Sequence, residues 1–334
     1  MAVRHEDLVV VDGLVQFSDG DAAPLIDGGV AAVNLTVVSP LADLTQAIDE
    51  TAKWLRILQQ EQSPWRLVLS ADDILEARQA RKAGLIMGWQ NMRPIGDNPD
   101  RIRLFHALGT RIMQLTYNEA NFIGDGCLED RGSGLTRFGH DVVSEMNAVG
   151  VAVDVSHCSE QTGLDATKIS KKPVLLTHAN AKAVAKRPRN KSDEVLRATA
   201  QTGGTIGISV HGFMNWNGNP KEPPSLEGFV AQVRHVASVA GYDHVAIGND
   251  FASVKSLESA KWLQTMSVQR YPGAAADYAA AFGNTLEKRF PAETPSPREM
   301  GRITLALAKS GITDRQIEGI MGQNLLRALR EIWH

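Results

Sequence analysis

Long apolar runs are missing from this 334-residue chain. No uninterrupted stretch approaches the ~20 residues of a membrane span, and the opening MAVRHEDLVVVDG sets charges where a signal peptide needs its apolar core. The expectation is a soluble, cytoplasmic protein with no membrane partner. Cysteine is scarce as well. Cys127 and Cys158 are the only two, too few for a disulfide framework and without zinc-ribbon spacing. A dominant charge sign is also absent: 35 basic residues against 38 acidic leave a net charge of −3, so no polyanion-binding surface is advertised and nucleic acid is not an expected partner. Nor is there a linker long enough to mark a second domain, or a repeat beyond the βα unit described next.

Short, near-continuously apolar runs do occur, separated by longer amphipathic segments. Eight read as strands: 8–15, 30–37, 84–89, 111–116, 150–155, 173–177, 204–210 and 244–248. Between them lie helical patterns at 41–61, 71–82, 98–108, 136–149, 159–170, 192–202 and 225–240, four of them preceded or opened by a serine able to cap (Ser70, Ser159, Ser192, Ser225). Strands apolar on both faces and alternating with helices imply a parallel sheet, and eight such units predict a closed (β/α)8 TIM barrel filling 1–334 as one domain. Residues 252–297 fit no barrel unit and are expected as an insertion over the mouth, with Trp262 and Arg270 as candidates to reach the pocket. The tail from 296, opened by Pro-Ser-Pro at 295–297, reads as two further helices divided near Gly311, so that 298–334 form C-terminal helices.

In such a barrel the chemistry sits where the strands end. The residues there are Gln16, Gln90, Tyr117 with its neighbour Asn118, His157, His178, His211 and Asp250. A lone strand-end histidine is more often a hydrogen-bonded structural residue than a ligand. Two on consecutive strands, with strand spacing near 4.8 Å, are able to share one cation. By the same caution Asp250 reads equally as a turn former, and Gln90 and Tyr117 as loop residues. Cys127, in IGDGCLED, is either a half-buried thiol or, on a loop that faces the mouth, a further ligand or a nucleophile, whereas Cys158 should face away from its neighbour His157. The run KRPRNKSDE at 186–194 is either a solvated loop or the carrier of an inward Arg189 that grips a carboxylate with two parallel hydrogen bonds.

Several ordered motifs carry a resemblance: GLTRFGHDVVSEMNAVGVAVDVSHCS, PVLLTHANAKAV, RPRNKSDEVLRATAQTGGTIGI, VAIGNDF and NLLRAL. Together, from about residue 84 onward, they are similar to the membrane (renal) dipeptidase family of zinc peptidases. The resemblance implies an amidohydrolase-type barrel, two zinc ions sharing a bridging glutamate, and a homodimer. It also implies metal ligation by His157 and His178, substrate binding by Arg189, and the role of the last-strand aspartate for Asp250. Other family positions are altered. Leu14 and Gln16 replace the first-strand His-x-Asp, Gln90 replaces the bridging glutamate, and Tyr117 replaces a substrate-binding histidine. Leucine cannot ligate and a neutral carbonyl bridges two dications poorly, so the expected cofactor is one zinc ion, or none.

The leading expectation is therefore a dipeptidase-like metal-dependent hydrolase cleaving an amide bond in a small carboxylate-bearing dipeptide or N-acyl amino acid. His157 and His178 would hold the metal, with Gln90 or Cys127 as weaker candidates. Asp250 would move the proton, Tyr117 would donate to the oxyanion, and Arg189, Tyr117 and Asn118 would bind substrate. Two alternatives stay open: a metal-independent lyase, hydratase or isomerase on a small carboxylate, and a non-catalytic barrel that only binds a small molecule.

Overall fold

The computed structural model describes residues 3–17, 20–253, 274–283 and 286–333. Eight parallel strands form the barrel: β1 (Val10–Phe17), β2 (Val30–Val38), β3 (Ala83–Trp89), β4 (Thr110–Gln114), β5 (Ala152–Asp154), β6 (Val174–Leu175), β7 (Ile206–Ile208) and β8 (Val245–Ile247). Hydrogen-bonded neighbours run β6-β5-β4-β3-β2-β1-β8-β7, and a parallel bridge between Leu176 and Ile206 closes the ring. These are the eight runs expected from the sequence, with ends displaced by a few residues.

Two more short strands escaped the sequence reading. Trp65–Leu67 pairs with the start of β3, and Phe251–Ser253 pairs with β1 in the register Gln16 to Ala252. Three residues are too few to display a period. The second has a functional consequence, because it zips the end of β1 to the loop after β8.

Each predicted serine cap is present. The Ser70, Ser159, Ser192 and Ser225 side chains accept from the backbone N–H of Asp73, Thr162, Val195 and Gly228, and Ser70 with Asp73 forms a full capping box. The barrel helices hold their apolar faces against one large core that includes Trp54, Trp65, Trp89, Phe105 and Phe229.

The C-terminal tail departs from two simple helices. Met300–Lys309 forms as expected, but beyond Gly311 the helix Asp314–Glu318 passes through a π turn at Gly319–Gln323 before Asn324–Ile332 resumes. The cause is close approach: a Cβ on Gly322 would collide with the carbonyl of Val9, just before β1. Asn324 then donates to the carbonyls of Tyr242 and Val245, both at 2.8 Å, and seats the last helix across the N-terminal end of the barrel.

Of the expected insertion, the structure describes a helix Ala274–Phe282 and a 3-10 turn Leu286–Arg289. Trp262 and Arg270 lie outside the described residues. Among the described residues no helix is long and apolar enough to cross a membrane.

Candidate active site

The site grows from the ends of β5 and β6. Asp154, the last residue of β5, accepts from the Ser156 N–H at 2.9 Å, the Ser156 hydroxyl at 2.5 Å, the Thr177 N–H at 3.2 Å and the Thr177 hydroxyl at 2.6 Å. One buried carboxylate thus ties the two strand ends together. The barrel closes tightly here, since a Cβ on Gly13, Gly207 or Gly248 would run into the Thr177 carbonyl.

This frame fixes two imidazoles. Thr177 has given its hydroxyl hydrogen to Asp154, so its oxygen accepts from His178 Nδ1–H at 2.9 Å. His157 Nδ1–H donates to Asn118 Oδ1 at 2.7 Å. These partners favour the tautomer with the proton on each Nδ1, in which both Nε2 atoms present lone pairs; the two Nε2 atoms face each other at 2.9 Å. Burial, seconded by the nearby Arg189 charge, holds both imidazoles well below their ordinary pKa, in the neutral form that ligates metals.

Around this pair lies a more accessible ring of groups. The Tyr117 ring stacks on His157 with centroids 4.2 Å apart and planes 24° apart. Burial pushes the Tyr117 phenol up to about 12, with the Asp250 charge adding to it, so the hydroxyl stays a donor. Asp250 stands in the left-handed region with φ 58°, a conformation an aspartate tolerates, and accepts from Gln16 Nε2 at 2.9 Å. Its carboxyl is pushed up to about 6 by burial, against the opposing effects of Arg189, the Gln16 hydrogen bond and Arg289. Behind it Asn249 donates to Asp12 through its backbone N–H at 2.9 Å and its side chain at 2.7 Å, a second staple between β1 and β8.

Other expected residues fall differently. The run 186–194 is no solvated loop: Arg189, Asn190 and Lys191 are buried. Arg189 turns inward, and its guanidinium donates to the carbonyls of Ser156 and His178, the latter at 3.1 Å. Asn118, expected against substrate, is buried and gives its carboxamide oxygen to His157. Cys127 donates its backbone N–H to the His157 carbonyl at 2.8 Å, while its thiol lies beside Asn118 Oδ1 at 3.6 Å. Cys158 faces away from the histidines and accepts from the Thr116 hydroxyl at 3.2 Å. His211 meets Phe290 edge-on and is pushed down to about 3 by burial, with Arg289 and Arg189 adding to the shift.

The sequence reading missed Asp154, Thr177 and Arg289. The first two were visible as D-x-x-H and T-H beside the two histidines, but a polar residue inside a barrel strand carries no sign of what it bonds. Arg289 is buried and electrostatically coupled to Asp250, Tyr117 and Tyr278. It comes from 252–297, the segment expected as an insertion over the mouth, where no local pattern distinguishes it.

The donor set fits two nitrogen ligands to one metal ion. Gln90 adds an orphaned acceptor: its Nε2 donates to the Thr36 hydroxyl at 2.9 Å, while its buried Oε1 has no hydrogen-bond partner. A second ion finds no such set, because Leu14 is a buried apolar side chain and Gln16 is committed to Asp250. Among the described residues no group of three or more His, Cys, Asp or Glu side chains is placed to hold a metal, so the structure does not join Cys127 to the histidine pair.

Comparison with known proteins agrees with this architecture. The chain is 27% identical to an amidohydrolase from Pseudomonas aeruginosa of known crystal structure, with a TM-score of 0.85 and 98% of each chain covered. A metallopeptidase from Rhodobacter sphaeroides, solved with a phosphinate mimic of the dipeptide L-Ala-D-Ala, shares the fold at 18% identity, with a TM-score of 0.78 over 98% of this chain and 99% of that one. Dipeptidase tcpJ of Claviceps purpurea is 30% identical over 285 residues, 83% of this chain and 57% of that protein. Dipeptidase verJ of Clonostachys rogersoniana is 28% identical over 268 residues, 80% and 60%. The chain therefore spans less than two thirds of the length of these two relatives. A model of the membrane dipeptidase family, peptidase family M19, matches residues 20–268, and with the closed barrel and its paired strand-end histidines this places the chain in that family of metallopeptidases.

Proposed function

We propose that this protein is a dipeptidase-like, metal-dependent hydrolase that cleaves the amide bond of a dipeptide or N-acyl amino acid, using one metal ion. The observation that carries the proposal is the pair of Nε2 atoms facing each other at 2.9 Å, each ring held by a hydrogen bond on its opposite nitrogen. In the tautomer that those bonds favour, both Nε2 atoms turn lone pairs to the same point, an arrangement that a cation between them stabilises. Zinc is one of the ions suited to imidazole nitrogens, and the unpartnered Gln90 Oε1 is the candidate for a further neutral oxygen ligand. When bound it would polarise the scissile carbonyl and lower the pKa of a water molecule.

The protein's own groups do the rest. Asp250, with a pKa of about 6, is mostly ionised at neutral pH and takes a proton from the attacking water, then returns it to the leaving amine. Gln16 holds the accepting carboxylate in place through its 2.9 Å bond. Tyr117, a donor across the working pH range, stabilises the developing oxyanion beside His157. Arg189 and Arg289 supply positive charge around Asp250, which favours a substrate that carries a carboxylate. At the end of β1 the buried Leu14 and the engaged Gln16 leave no second ligand set among the described residues, which favours one ion over two.

The test is metal content per chain after zinc loading and dialysis, measured with hydrolysis of dipeptides and N-acyl amino acids. About one equivalent is expected, with metal and turnover both lost in His157→Ala. Two equivalents, or turnover that survives complete chelation, would overturn the mononuclear reading.

A further inference from the structure

The loops that follow β2, β3 and β4 enclose a cavity of about 400 Å3 that opens beside the histidine pair but does not include it. Tyr117 is the shared wall. Its ring stacks on His157 at 4.2 Å and also lines the cavity, so a group seated there lies one ring away from the imidazoles.

The chemistry of the walls selects the occupant. Leu41 and Phe122, the latter 68% exposed, supply the accessible apolar surface, and Met92 and Ile123 back the wall from nearly full burial. The polar floor is already engaged. Asn91 donates to the Pro40 carbonyl at 2.8 Å and accepts from Asn121 at 2.9 Å, while Asn121 also donates to the Leu115 carbonyl and accepts from the Ile123 N–H, both at 2.8 Å. Arg131 is likewise engaged, by Asp125 at 2.5 Å. With these partners satisfied, the gain on binding comes from removing apolar surface from water. The volume is that of a pocket for a small organic molecule, well beyond what a methyl group requires.

We infer that this cavity is a specificity subsite that seats one bulky apolar arm of the substrate, an aromatic or large aliphatic side chain, with Tyr117 as the hinge point between arm and scissile bond. The inference rests on the hydrolase reading and adds the substrate class to it. Arg93 and Glu119, charges of opposite sign, also line the cavity, which makes a charged arm the rival occupant.

The deciding experiment compares kcat/KM for Ala-Ala, Phe-Ala, Ala-Phe, Glu-Ala and Ala-Glu on the zinc-loaded protein. Phenylalanine at one of the two positions should raise kcat/KM over Ala-Ala by about 10-fold or more. Leu41→Trp and Ala120→Trp each fill the cavity from a position that is not fully buried. Both should erase the phenylalanine preference and leave Ala-Ala turnover unchanged. Equal rates for alanine and phenylalanine at both positions, a preference for glutamate, or tryptophan variants that slow every dipeptide alike would each overturn the subsite. If no dipeptide is hydrolysed, the hydrolase reading has failed and the cavity is decided by calorimetric titration. Tighter binding of N-acetylphenylalanine than of N-acetylalanine, lost in Ala120→Trp, supports the subsite; equal or undetectable binding overturns it.

Discussion

At the N-terminal end of the barrel, Val11, Ala32, Ile86, Ile112, Ala152, Leu175 and Ala246 form a closed apolar cluster with Leu325, Leu326, Leu329 and Ile332 of the last helix. At the opposite end the same strands, continued by a few residues, present Asp12, Gln16, Asp154, Thr177 and the two histidines. Nothing in the lower cluster depends on a particular partner atom, because dispersion and water exclusion are non-directional. Almost every polar group in the upper one has a named partner at a fixed distance. The contrast separates the contributions: the lower end supplies stability, which volume-conserving changes preserve, and the upper end supplies geometry, which a single lost hydrogen bond disturbs.

The largest expected effect breaks the upper end alone. Asp250→Asn keeps the shape and the Gln16 contact while removing the base, and should lower kcat by about 10²–10⁴-fold with melting temperature little changed. Steady-state kinetics beside thermal unfolding checks this, and a kcat within a few-fold of the parent would remove Asp250 from the mechanism. The converse change is Leu329→Ala in the lower cluster. Deleting this fully buried side chain should cost about 2–5 kcal/mol of stability and leave kcat/KM per folded molecule intact. Denaturant unfolding measures the first part, and altered kinetics at a temperature where the variant is folded would show that the two ends are coupled.

An intermediate effect is expected where the frame meets the ligands. Thr177→Val is nearly isosteric but removes the oxygen that takes the His178 Nδ1 hydrogen, and it leaves Asp154 short of a donor. Metal affinity should fall by about 10–100-fold, the usual cost of losing a ligand's outer hydrogen bond. Competition with a chromophoric chelator reads it directly. Unchanged affinity would mean that the imidazole is oriented by packing.

The same contrast explains what the sequence could disclose. All eight strands and the four serine caps were legible because apolar period and cap chemistry are local. His157, His178 and Asp250 were legible because each ends an apolar run. The role of Asn118 was not: it lies one residue past Tyr117 and 39 residues before His157, and only closure of the loop brings its oxygen to the ring. Gln16 shows the limit most clearly. It stands where the family resemblance places a ligand, so by sequence it counts as a loss, yet its partner Asp250 is 234 residues away. The three-residue strand Phe251–Ser253 that aligns them is too short to announce itself. What stayed hidden are pairings between the loops of adjacent strands, which depend on how the strands assemble rather than on neighbours in the chain.

Gln16 also provides the finest test of the comparison, through proton affinity rather than lost chemistry. Burial raises the Asp250 carboxyl to about 6, and the Gln16 hydrogen bond opposes that rise by favouring the ionised form. A base acts when ionised, so kcat/KM should climb as pH rises through about 6. Removing the donor in Gln16→Leu takes away a stabiliser of the ionised form, which moves the midpoint of that climb to higher pH. Gln16→Glu sets a like charge against Asp250 and should move it further in the same direction. A full pH profile distinguishes this from mere loosening of the β1 end, which would lower the rate equally at every pH and leave the midpoint where it was. If the midpoint holds in both variants, Gln16 is a packing residue, and the proton affinity of Asp250 is set by its burial and the two arginines alone.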